Sequence, residues 1–307
     1  WILELRWDRT SKVILGQITL AVLLRSVQLA QHGAELRRHR GAAAPARPND
    51  ADALEAVRAR RRVPSLRVAF FATGDELKAS GETLGEGDIY ESNLASIAAV
   101  LRHYPVDLIN FGVVEDTPEA IKACLRKASR DADVVISSGG VSVGDYDYVR
   151  QCVDSMGLVS DYKVAMKPGK PVCFGHINNA EDSKTLFFGL PGNAVSSFVV
   201  LTELYLPVLK FLLNRERVVP NVQLEATLDA DLVRRAGRLE FQRGVLSQVV
   251  EPAGRPSFRV AALGSQDSHR VLGLARANCT IKIAADVEHI SAGSQVLVSI
   301  FPWTDLQ

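Results

Sequence analysis

Cysteine is scarce in this chain of 307 residues, and its four cysteines lie far apart, at Cys124, Cys152, Cys173 and Cys279. No two of them form a C-x-x-C pair, which argues against a zinc site and against a disulfide framework. Five of the six histidines are solitary, and no metal-binding spacing joins them. This cysteine usage is typical of a reducing compartment, so we expect a cytoplasmic protein.

The chain also lacks a large excess of charge of either sign. Its net charge of +1 gives no argument for binding to nucleic acid or to an anionic membrane. The apolar run from Val13 to Leu24 is broken by Gly16 and Gln17 and meets Arg25. A span needs roughly 20 apolar residues, so this run is too short to cross a bilayer. We therefore expect neither a nucleic-acid partner nor a membrane span.

What the sequence does contain, from Leu66 onward, is a regular alternation of strand-like and helix-like segments. Ser92 is a candidate N-cap for a helix over Leu94 to His103, and Thr117 precedes Pro118 at the start of another. Alternation of this kind predicts an α/β fold with a mostly parallel sheet flanked by helices. The main segments are strands at Leu66 to Ala72, Val106 to Val114, Val134 to Ser137, Val172 to Gly175 and Thr185 to Leu190, and a long helix from Ala194 to Leu213.

The pattern changes after Asn214, where β-like segments separated by turn residues replace the helices. This pattern of short β-like segments predicts a small, barrel-like β domain at the C-terminal end. We expect three parts: an N-terminal region over residues 1–64, an α/β domain over 65–215 and a β domain over 216–307.

A glycine-rich loop follows the apolar strand Val134 to Ser137. A strand that feeds such a loop and then a helix places the loop at the carboxyl edge of the sheet, where open α/β folds bind ligands. Its backbone N–H groups suit phosphate oxygens, and carboxylates close by suit a hard cation such as Mg²⁺. The loop contains Ser138, Gly139, Gly140, Ser142, Gly144, Asp145 and Asp147.

Two further polar turns follow predicted strands, and both should reach that same edge. One turn is Thr73-Gly74-Asp75-Glu76 and the other is Pro191-Gly192-Asn193, while Asp116 ends its own strand. Any one of these acids could merely cap a helix, and we favour that role for Asp75 and Asp145 taken alone. The convergence of several turns favours a metal site formed by Glu76, Asp116 and Asp147.

Three lysines, Lys163, Lys167 and Lys170, flank a Lys-Pro-Gly-Lys turn. Such a turn presents ammonium groups to a phosphate or another oxyanion, although most loop lysines are simply solvated. Ser268 and His269 stand beside Asp267, but neighbours in sequence do not build a nucleophilic triad. We interpret the Ser268-His269 pair as a turn or as part of a ligand-binding edge.

Several ordered motifs carry a resemblance to a known family. The sequence resembles the molybdopterin molybdotransferases, which comprise the MoeA proteins and the E domain of gephyrin, over roughly residues 65–307. The motifs are Thr73-Gly74-Asp75-Glu76-Leu77, Gly87-Asp88-Ile89-Tyr90-Glu91-Ser92-Asn93, Ser137 to Tyr148, Lys167-Pro168-Gly169-Lys170-Pro171, Gly189-Leu190-Pro191-Gly192-Asn193, Gly237-Arg238-Leu239-Glu240-Phe241-Gln242-Arg243-Gly244, and Ser268-His269 to Asn278.

The resemblance implies the final step of molybdenum cofactor synthesis. Such enzymes bind adenylylated molybdopterin and molybdate, split the phosphoanhydride to release AMP, and leave molybdenum on the dithiolene with the help of Mg²⁺. Carried over by motif, Glu76, Asp116 and Asp147 are the catalytic and metal-binding acids. The remaining motif residues bind substrate: Thr73, Asp75, Ser138, Gly139, Gly140, Ser142 and Gly144 on the pterin phosphate side, Lys163, Lys167 and Lys170 toward molybdate, and Pro191, Gly192 and Asn193 at the last turn.

The family pattern also implies a homodimer and, as an upstream partner, a molybdopterin adenylyltransferase. Family members carry two further domains before the Thr-Gly-Asp-Glu turn, including a Met-Asp-Gly-Tyr type motif. That motif is absent from residues 1–64, so we expect this region to be a partial or atypical remnant of those domains.

Three alternatives stay open from the sequence. A MogA-type adenylyltransferase shares the sheet domain but normally has no trailing β domain. A gephyrin-like scaffold would bind a partner peptide, and the CinA-like group uses a similar sheet for nucleotide-type ligands but lacks the paired Lys-Pro-Gly-Lys and Leu-Pro-Gly-Asn motifs. Molybdate and tungstate share charge and shape, so the sequence does not distinguish them.

Overall fold

The computed structural model describes residues 65–140, 148–179, 183–214, 221–250 and 256–304. Two sheets dominate this part of the chain. The strands are Leu66–Thr73 (β1), Leu77–Lys78 (β2), Ile89–Tyr90 (β3), Val106–Val114 (β4), Val134–Ser138 (β5), Gly157–Lys163 (β6), Met166–Lys167 (β7), Pro171–Asn178 (β8), Lys184–Leu190 (β9), Gln223–Leu228 (β10), Leu232–Val233 (β11), Leu239–Val250 (β12), Pro256–Ala262 (β13), Cys279–Ile283 (β14), His289–Ile290 (β15) and Gln295–Ile300 (β16).

Helices cover both faces of the first sheet and continue into the second half of the chain. They are Asn93–Leu101 (α1), Pro118–Asp131 (α2), Tyr148–Met156 (α3), Ala194–Val200 (α4), Leu206–Asn214 (α5) and Leu272–Arg276 (α6). A π-helical segment, Leu201–Tyr205, joins α4 to α5 in one continuous rod.

The first sheet has the strand order β4-β1-β5-β9-β8-β6. Its first four strands pair in parallel, while β8 and β6 run antiparallel at one edge. Crossover helices explain the parallel half, because parallel neighbours need a long connection. The tight β8–β9 connection instead makes a hairpin. The sequence did not predict β6, whose polar alternation gives it only one buried residue.

The side chains of β1 alternate between two separate hydrophobic clusters. Val68, Phe70 and Ala72 pack with α1 and the α4–α5 rod, whereas Ala69 and Phe71 pack with α2 and α3. Successive residues of a strand point to opposite faces, so a strand covered on both faces must be apolar throughout. This explains why β1 reads as a continuous apolar run, and it confirms the predicted helix–sheet–helix layering.

Tyr205, at the end of the π-helical segment, fastens the rod to the first sheet. Its ring stacks on Phe188 with the centroids 4.5 Å apart, and its hydroxyl donates to the carbonyls of Cys173 and Gly189 at 2.8 and 3.0 Å. Burial raises the pKa of Tyr205 well above its usual value, so this hydroxyl stays a donor. The rod therefore has a fixed position on β8 and β9.

The second sheet closes into a barrel of five strands, β13-β10-β16-β14-β12, because β12 also pairs with β13. A short strand that precedes the barrel in sequence, β7, extends it by pairing in parallel with the start of β12. The predicted barrel-like C-terminal unit is confirmed. The predicted boundary at 215/216 lies outside the described residues, as do residues 1–64.

One helical stretch in the described part of the chain, Ala194–Leu213, is long and apolar enough to cross a membrane, with a mean hydropathy of 1.6. However, 83% of that window is buried inside the protein. Burial on this scale is what a core helix shows, since a helix that is hydrophobic all round must be covered.

The two predicted helix caps differ in outcome. Thr117 caps α2 as expected, with its hydroxyl oxygen accepting from the Ala120 N–H at 3.4 Å. Ser92 occupies the cap position of α1, but its side chain accepts no bond from the helix. Instead, Glu91 Oε1 accepts from the Leu94 N–H at 2.8 Å. The carboxylate of Glu91 thus provides the helix cap that the sequence predicted for Ser92.

All four cysteines are reduced and buried, and burial raises the pKa of Cys124 to about 11 and that of Cys279 to about 12. The thiolate is the reactive form, so we expect the native protein to resist a thiol-labelling reagent at pH 8. Absorbance of the released reagent anion measures this, with the same protein unfolded in guanidinium as the control. Rapid labelling of native Cys124 or Cys279 would contradict the buried positions.

Candidate functional site

The carboxyl ends of four parallel strands meet at one edge of the first sheet. Their registers align there, with Thr73 opposite Val114, Ala72 opposite Ser138, and Ser138 opposite Leu190. We call the turns that follow these strands the rim, which comprises residues 73–76, 115–117, 138–140 and 191–193. Ligands of open α/β sheets bind outside this edge.

Close backbone approach defines the centre of the rim. Gly139 has φ of +84°, and a Cβ built on it would lie 2.4 Å from the Thr73 carbonyl oxygen. Gly140 has φ of +64°, and its Cβ would lie 2.4 Å from a methyl group of Val149. Both positions therefore require glycine, on steric as well as conformational grounds. The loop after β5 starts in close contact with the end of β1.

Asn93, the first residue of α1, ties two of the rim turns together. Its buried side-chain amide donates to Ser138 Oγ and to the Gly192 carbonyl, both at 2.7 Å. One amide group thus fixes the spacing between the turn after β5 and the turn after β9. In the sequence, Asn93 is the last residue of a family motif, and nothing in the local pattern predicts this role.

The two described acids of the predicted metal site lie on neighbouring turns. Asp116 Oδ1 accepts from the Thr73 hydroxyl at 2.9 Å, which joins the turn after β4 to the turn after β1. The exposed Glu76 carboxylate folds back over Gly74, where an added Cβ would lie 2.8 Å from Glu76 Oε2. Asp75 is exposed beside it.

Other predicted rim residues lie outside the described part of the chain: Ser142, Gly144 and Asp147. Within residues 65–140, 148–179, 183–214, 221–250 and 256–304, no three metal-ligating side chains come close together. The roles predicted for the three acids therefore stay predictions.

The lysine turn, residues 163–171, lies at the same edge of the sheet because it joins the antiparallel strands β6 and β8. Lys163 pairs with Pro171 at the β6–β8 ladder, and Cys173 pairs with Gly189 on β9. Since β8 begins where β9 ends, Lys163 and Lys170 arrive beside the turn after β9. All three lysines have exposed side chains. From the sequence, only the family resemblance predicts that these lysines lie near the rim. The pairing of β6 with β8 and of β8 with β9 explains this position.

Lys167 differs from its neighbours because it is paired with the barrel. Its ammonium lies 3.2 Å from Glu240 Oε1, and the carboxylate of Glu240 is 3% exposed. The same carboxylate accepts from Arg234 at 3.4 Å and from Gln242 at 3.2 Å. Two cations around one buried carboxylate hold the lysine turn against β12, since a buried charge needs such partners. The local sequence around Glu240 does not predict this contact.

Arg243 shapes the loop that carries Ser268 and His269. This fully buried guanidinium donates to the carbonyls of Ser265, Asp267 and Arg270, and to Gln266 Oε1. Burial lowers the pKa of Arg243, although a guanidinium stays charged in a protein. The loop therefore has a defined shape.

The Ser268 carbonyl accepts from the Val195 N–H at 3.0 Å. Val195 lies in the first turn of α4, two residues after Asn193 of the rim. The loop of the barrel that carries Ser268 and His269 thus packs directly beside the turn after β9. This loop therefore lies next to the rim, and a role for the Ser268-His269 pair at a ligand-binding edge stays a prediction.

The assembled rim combines a glycine turn without side chains, carboxylates on two neighbouring turns, and ammonium groups on the lysine turn. Such a set binds phosphate and other oxyanions and suits a hard divalent cation. The ammonium groups would neutralise charge on an anion bound at this edge.

Comparisons with known proteins agree with this architecture. Residues 69–210 match the family model described as a probable molybdopterin binding domain, and residues 225–301 match the MoeA C-terminal region, domain IV. These matches define the class as an α/β domain similar to molybdopterin-binding domains, followed by a MoeA-type barrel. The chain belongs to the MoeA family.

Three relatives illustrate the similarity. A molybdopterin molybdenumtransferase of Haemophilus influenzae is 33% identical over 236 residues, which cover 77% of this chain and 56% of that protein. One from Nostoc sp. is 35% identical, covering 77% and 53%. The crystal structure of the molybdopterin biosynthesis MoeA protein from Pyrococcus horikosii superposes with a TM-score of 0.62 at 26% identity, covering 77% and 55%. The chain spans about half the length of the curated relatives that it matches.

We expect replacement of Asn93 by alanine to loosen the rim. The substitution removes two buried hydrogen bonds and leaves their acceptors without this donor, so the free energy of unfolding should fall by about 1–3 kcal/mol. Chemical denaturation measures the change. Asn110→Ala is the matched control, since Asn110 is exposed and its side chain bonds only locally, to the Gly112 N–H. Equal losses in the two variants would show that Asn93 does not hold the turns.

Proposed function

We propose that this chain acts as a molybdopterin molybdenumtransferase, which inserts molybdenum from molybdate into adenylylated molybdopterin with release of AMP. The observation that carries the proposal is the meeting of the four turns and the lysine turn at one sheet edge. Cleavage of a phosphoanhydride depends chiefly on positioning and charge neutralisation. The rim has groups that could position the phosphoanhydride and neutralise its charge, and the chain belongs to the MoeA family.

The residues divide by the ligand group that each would contact. The backbone at Ser138, Gly139 and Gly140, continued by Ser142 and Gly144, would hold the phosphate side of the pterin. Lys163, Lys167 and Lys170 would face molybdate, with Lys167 oriented by Glu240. The remaining substrate contacts would come from the turns on either side: Thr73, Asp75, Pro191, Gly192 and Asn193.

Mg²⁺ fits this site through the chemistry of its donors. Proteins usually hold Mg²⁺ by one or two carboxylates together with substrate phosphates rather than by a full protein cage. Glu76 and Asp116 are oxygen donors on adjacent turns linked by Thr73, and Asp147 completes the predicted set. Bound there, Mg²⁺ would neutralise charge on the phosphoanhydride oxygens. The residues' own part is to orient the anhydride and to hold the cation beside it.

The barrel favours this assignment over a MogA-type adenylyltransferase, which normally lacks a trailing β domain. We also propose, from the family resemblance, a cytoplasmic homodimer that receives its substrate from a molybdopterin adenylyltransferase. The domain limits of 65–215 and 216–307 belong to the same proposal.

The direct test supplies the chain with adenylylated molybdopterin, molybdate and Mg²⁺. AMP release, followed by chromatography, and molybdenum on the pterin, followed by elemental analysis, should both appear and should both depend on molybdate. AMP release without molybdenum transfer would indicate only hydrolysis. Formation of adenylylated molybdopterin from ATP would instead establish the adenylyltransferase.

Replacement of Asp147 by asparagine should abolish AMP release while leaving the fold intact. The change removes one ligand charge while nearly preserving shape, so we expect at least about a hundredfold loss of kcat. Asp154→Asn is the matched control, because Asp154 is an exposed acid on α3. Circular dichroism checks folding. Unchanged molybdenum loading in Asp147→Asn would remove this residue from the proposed site.

Replacement of Lys170 by glutamine should weaken use of molybdate more than it slows turnover. Loss of one ammonium facing a dianion should raise KM for molybdate by about tenfold. The matched control is Lys184→Gln, since Lys184 is exposed and begins β9 at the opposite edge of the sheet. A KM that rises equally in both variants would indicate a general charge effect rather than contact with the anion.

A further inference from the structure

Lys167 is held by a carboxylate that already has another counter-ion. The side chains of Glu240 and Arg234 are each 3% exposed, and Arg234 Nη1 donates to Glu240 Oε2 at 3.4 Å. One buried negative charge and one buried positive charge thus balance each other. Lys167, whose side chain is 48% exposed, adds a second positive charge at Glu240 Oε1. The group of three therefore has a positive charge in excess, and the half-exposed Lys167 carries it.

Arg234 is fixed in the barrel independently of the lysine turn. Its guanidinium donates to four backbone carbonyls, those of Val287, Arg235, Arg238 and Ala284. Gln242 Nε2 also donates to Glu240 Oε1, at 3.2 Å. A buried carboxylate needs a counter-charge and hydrogen-bond donors, and Arg234 and Gln242 supply both. Glu240 therefore keeps its partners in the barrel when Lys167 moves away.

The lysine turn has attachments to the rest of the protein that do not involve the Lys167 ammonium. Its strand β7 pairs in parallel with the start of β12, and the Ala165 carbonyl accepts from the Leu239 N–H at 3.0 Å. On the other side, Gly169 packs so closely on α4 that an added Cβ would lie 2.6 Å from a methyl group of Val200. The backbone of the turn would therefore stay in place if the ammonium left its carboxylate.

Movement of the Lys167 ammonium should cost little. Ion pairs that are screened by solvent change an equilibrium constant by up to about fivefold. The head of a lysine moves on a flexible stem, and its hydrogen bonds to an oxyanion are charge-assisted. Lys163 and Lys170 present exposed side chains on the same turn. A dianion bound among these lysines would therefore attract Lys167 away from Glu240.

We propose that Lys167 is an exchangeable cation, which Glu240 holds beside the rim and releases to an oxyanion dianion when the anion binds. The inference rests on the oxyanion site of the proposed function and adds how that site takes up its anion. Arg234 makes the exchange possible, because it keeps the buried carboxylate paired after Lys167 has left. The supporting observations are the buried Arg234–Glu240 pair, the half-exposed Lys167 and the backbone attachments of the turn.

Exchange makes Glu240 a competitor of the anion for one ammonium group. If Glu240 instead fixed Lys167 permanently in its binding position, anion binding would need the carboxylate. The two arrangements predict opposite signs when the charge of Glu240 is removed. The sign of the change in anion affinity therefore distinguishes them.

The probe is molybdate alone, in equilibrium dialysis against the full chain, with molybdenum measured by elemental analysis. Glu240→Gln should tighten molybdate binding by about three- to fivefold, because the competing charge is gone. Glutamine nearly preserves the shape of glutamate, and its oxygen can still accept from Arg234; circular dichroism checks folding. Glu225→Gln is the matched control, since Glu225 is an exposed acid on β10 of the same barrel. Weaker or unchanged molybdate binding in Glu240→Gln would overturn the proposal.

A double-mutant cycle tests whether Glu240 acts through Lys167. Lys167→Met should weaken molybdate binding by about tenfold, because one ammonium is lost. Adding Glu240→Gln to that variant should change the affinity by less than about twofold, since the carboxylate no longer has an ammonium to withhold. Full tightening in the double variant would show that Glu240 merely repels the anion, which contradicts exchange.

Arg234→Gln should have the opposite effect to Glu240→Gln. Without Arg234, Glu240 depends on Lys167 for its counter-charge, so molybdate binding should weaken by about tenfold. The comparison is made well below the melting temperature of the variant, since the substitution also removes bonds to barrel carbonyls. Tighter molybdate binding in Arg234→Gln would show that this arginine does not balance Glu240.

The outcomes separate the exchange from the proposed function. Tighter molybdate binding in Glu240→Gln, without AMP release from adenylylated molybdopterin by the unchanged chain, would support the exchange and count against the transferase. Weaker binding in Glu240→Gln, with normal AMP release and molybdenum transfer by the unchanged chain, would do the reverse. An unchanged chain that binds no molybdate would overturn both.

Discussion

The parallel pairing of β1, β5 and β9 is the constraint on which the rest of the site depends. It brings three turns so close together that a methyl group on Gly139 would overlap the Thr73 carbonyl. A single amide, that of Asn93, joins two of these turns, the one after β5 and the one after β9. A ligand approaching this edge meets backbone and short polar groups, and the charged groups stand around it.

The charged groups come from both halves of the described chain, which makes the barrel part of the site's scaffold. Glu240 on β12 orients Lys167, and the loop shaped by Arg243 docks on the first turn of α4. One unit thus supplies the turns, and the other fixes the position of Lys167. The proposed function depends on the contact between the two units.

Strand–helix alternation and turn chemistry were enough to predict the layered sheet, the barrel and the edge where the turns meet. They failed where tertiary contacts override local pattern. β6 has one buried residue and so lacks a strand signal. The π-helical segment contains Tyr205 and Glu203, whose hydrogen-bond partners lie far away in sequence and cannot be found from the local pattern. Asn93 was missed because a lone polar residue at a helix start resembles an ordinary cap. Only packing shows that its amide faces two distant turns.

The ion pair between Glu203 and Lys282 has a consequence for how such chains evolve. Both side chains are almost completely buried, one on the rod and one on β14 of the barrel. Removing either charge alone leaves the other buried without this opposite charge, at a cost of about 3–5 kcal/mol, a large share of a domain's stability. A barrel taken from a relative would be tolerated only if it carried a cation at the position of Lys282, so each unit restricts which substitutions the other can accept.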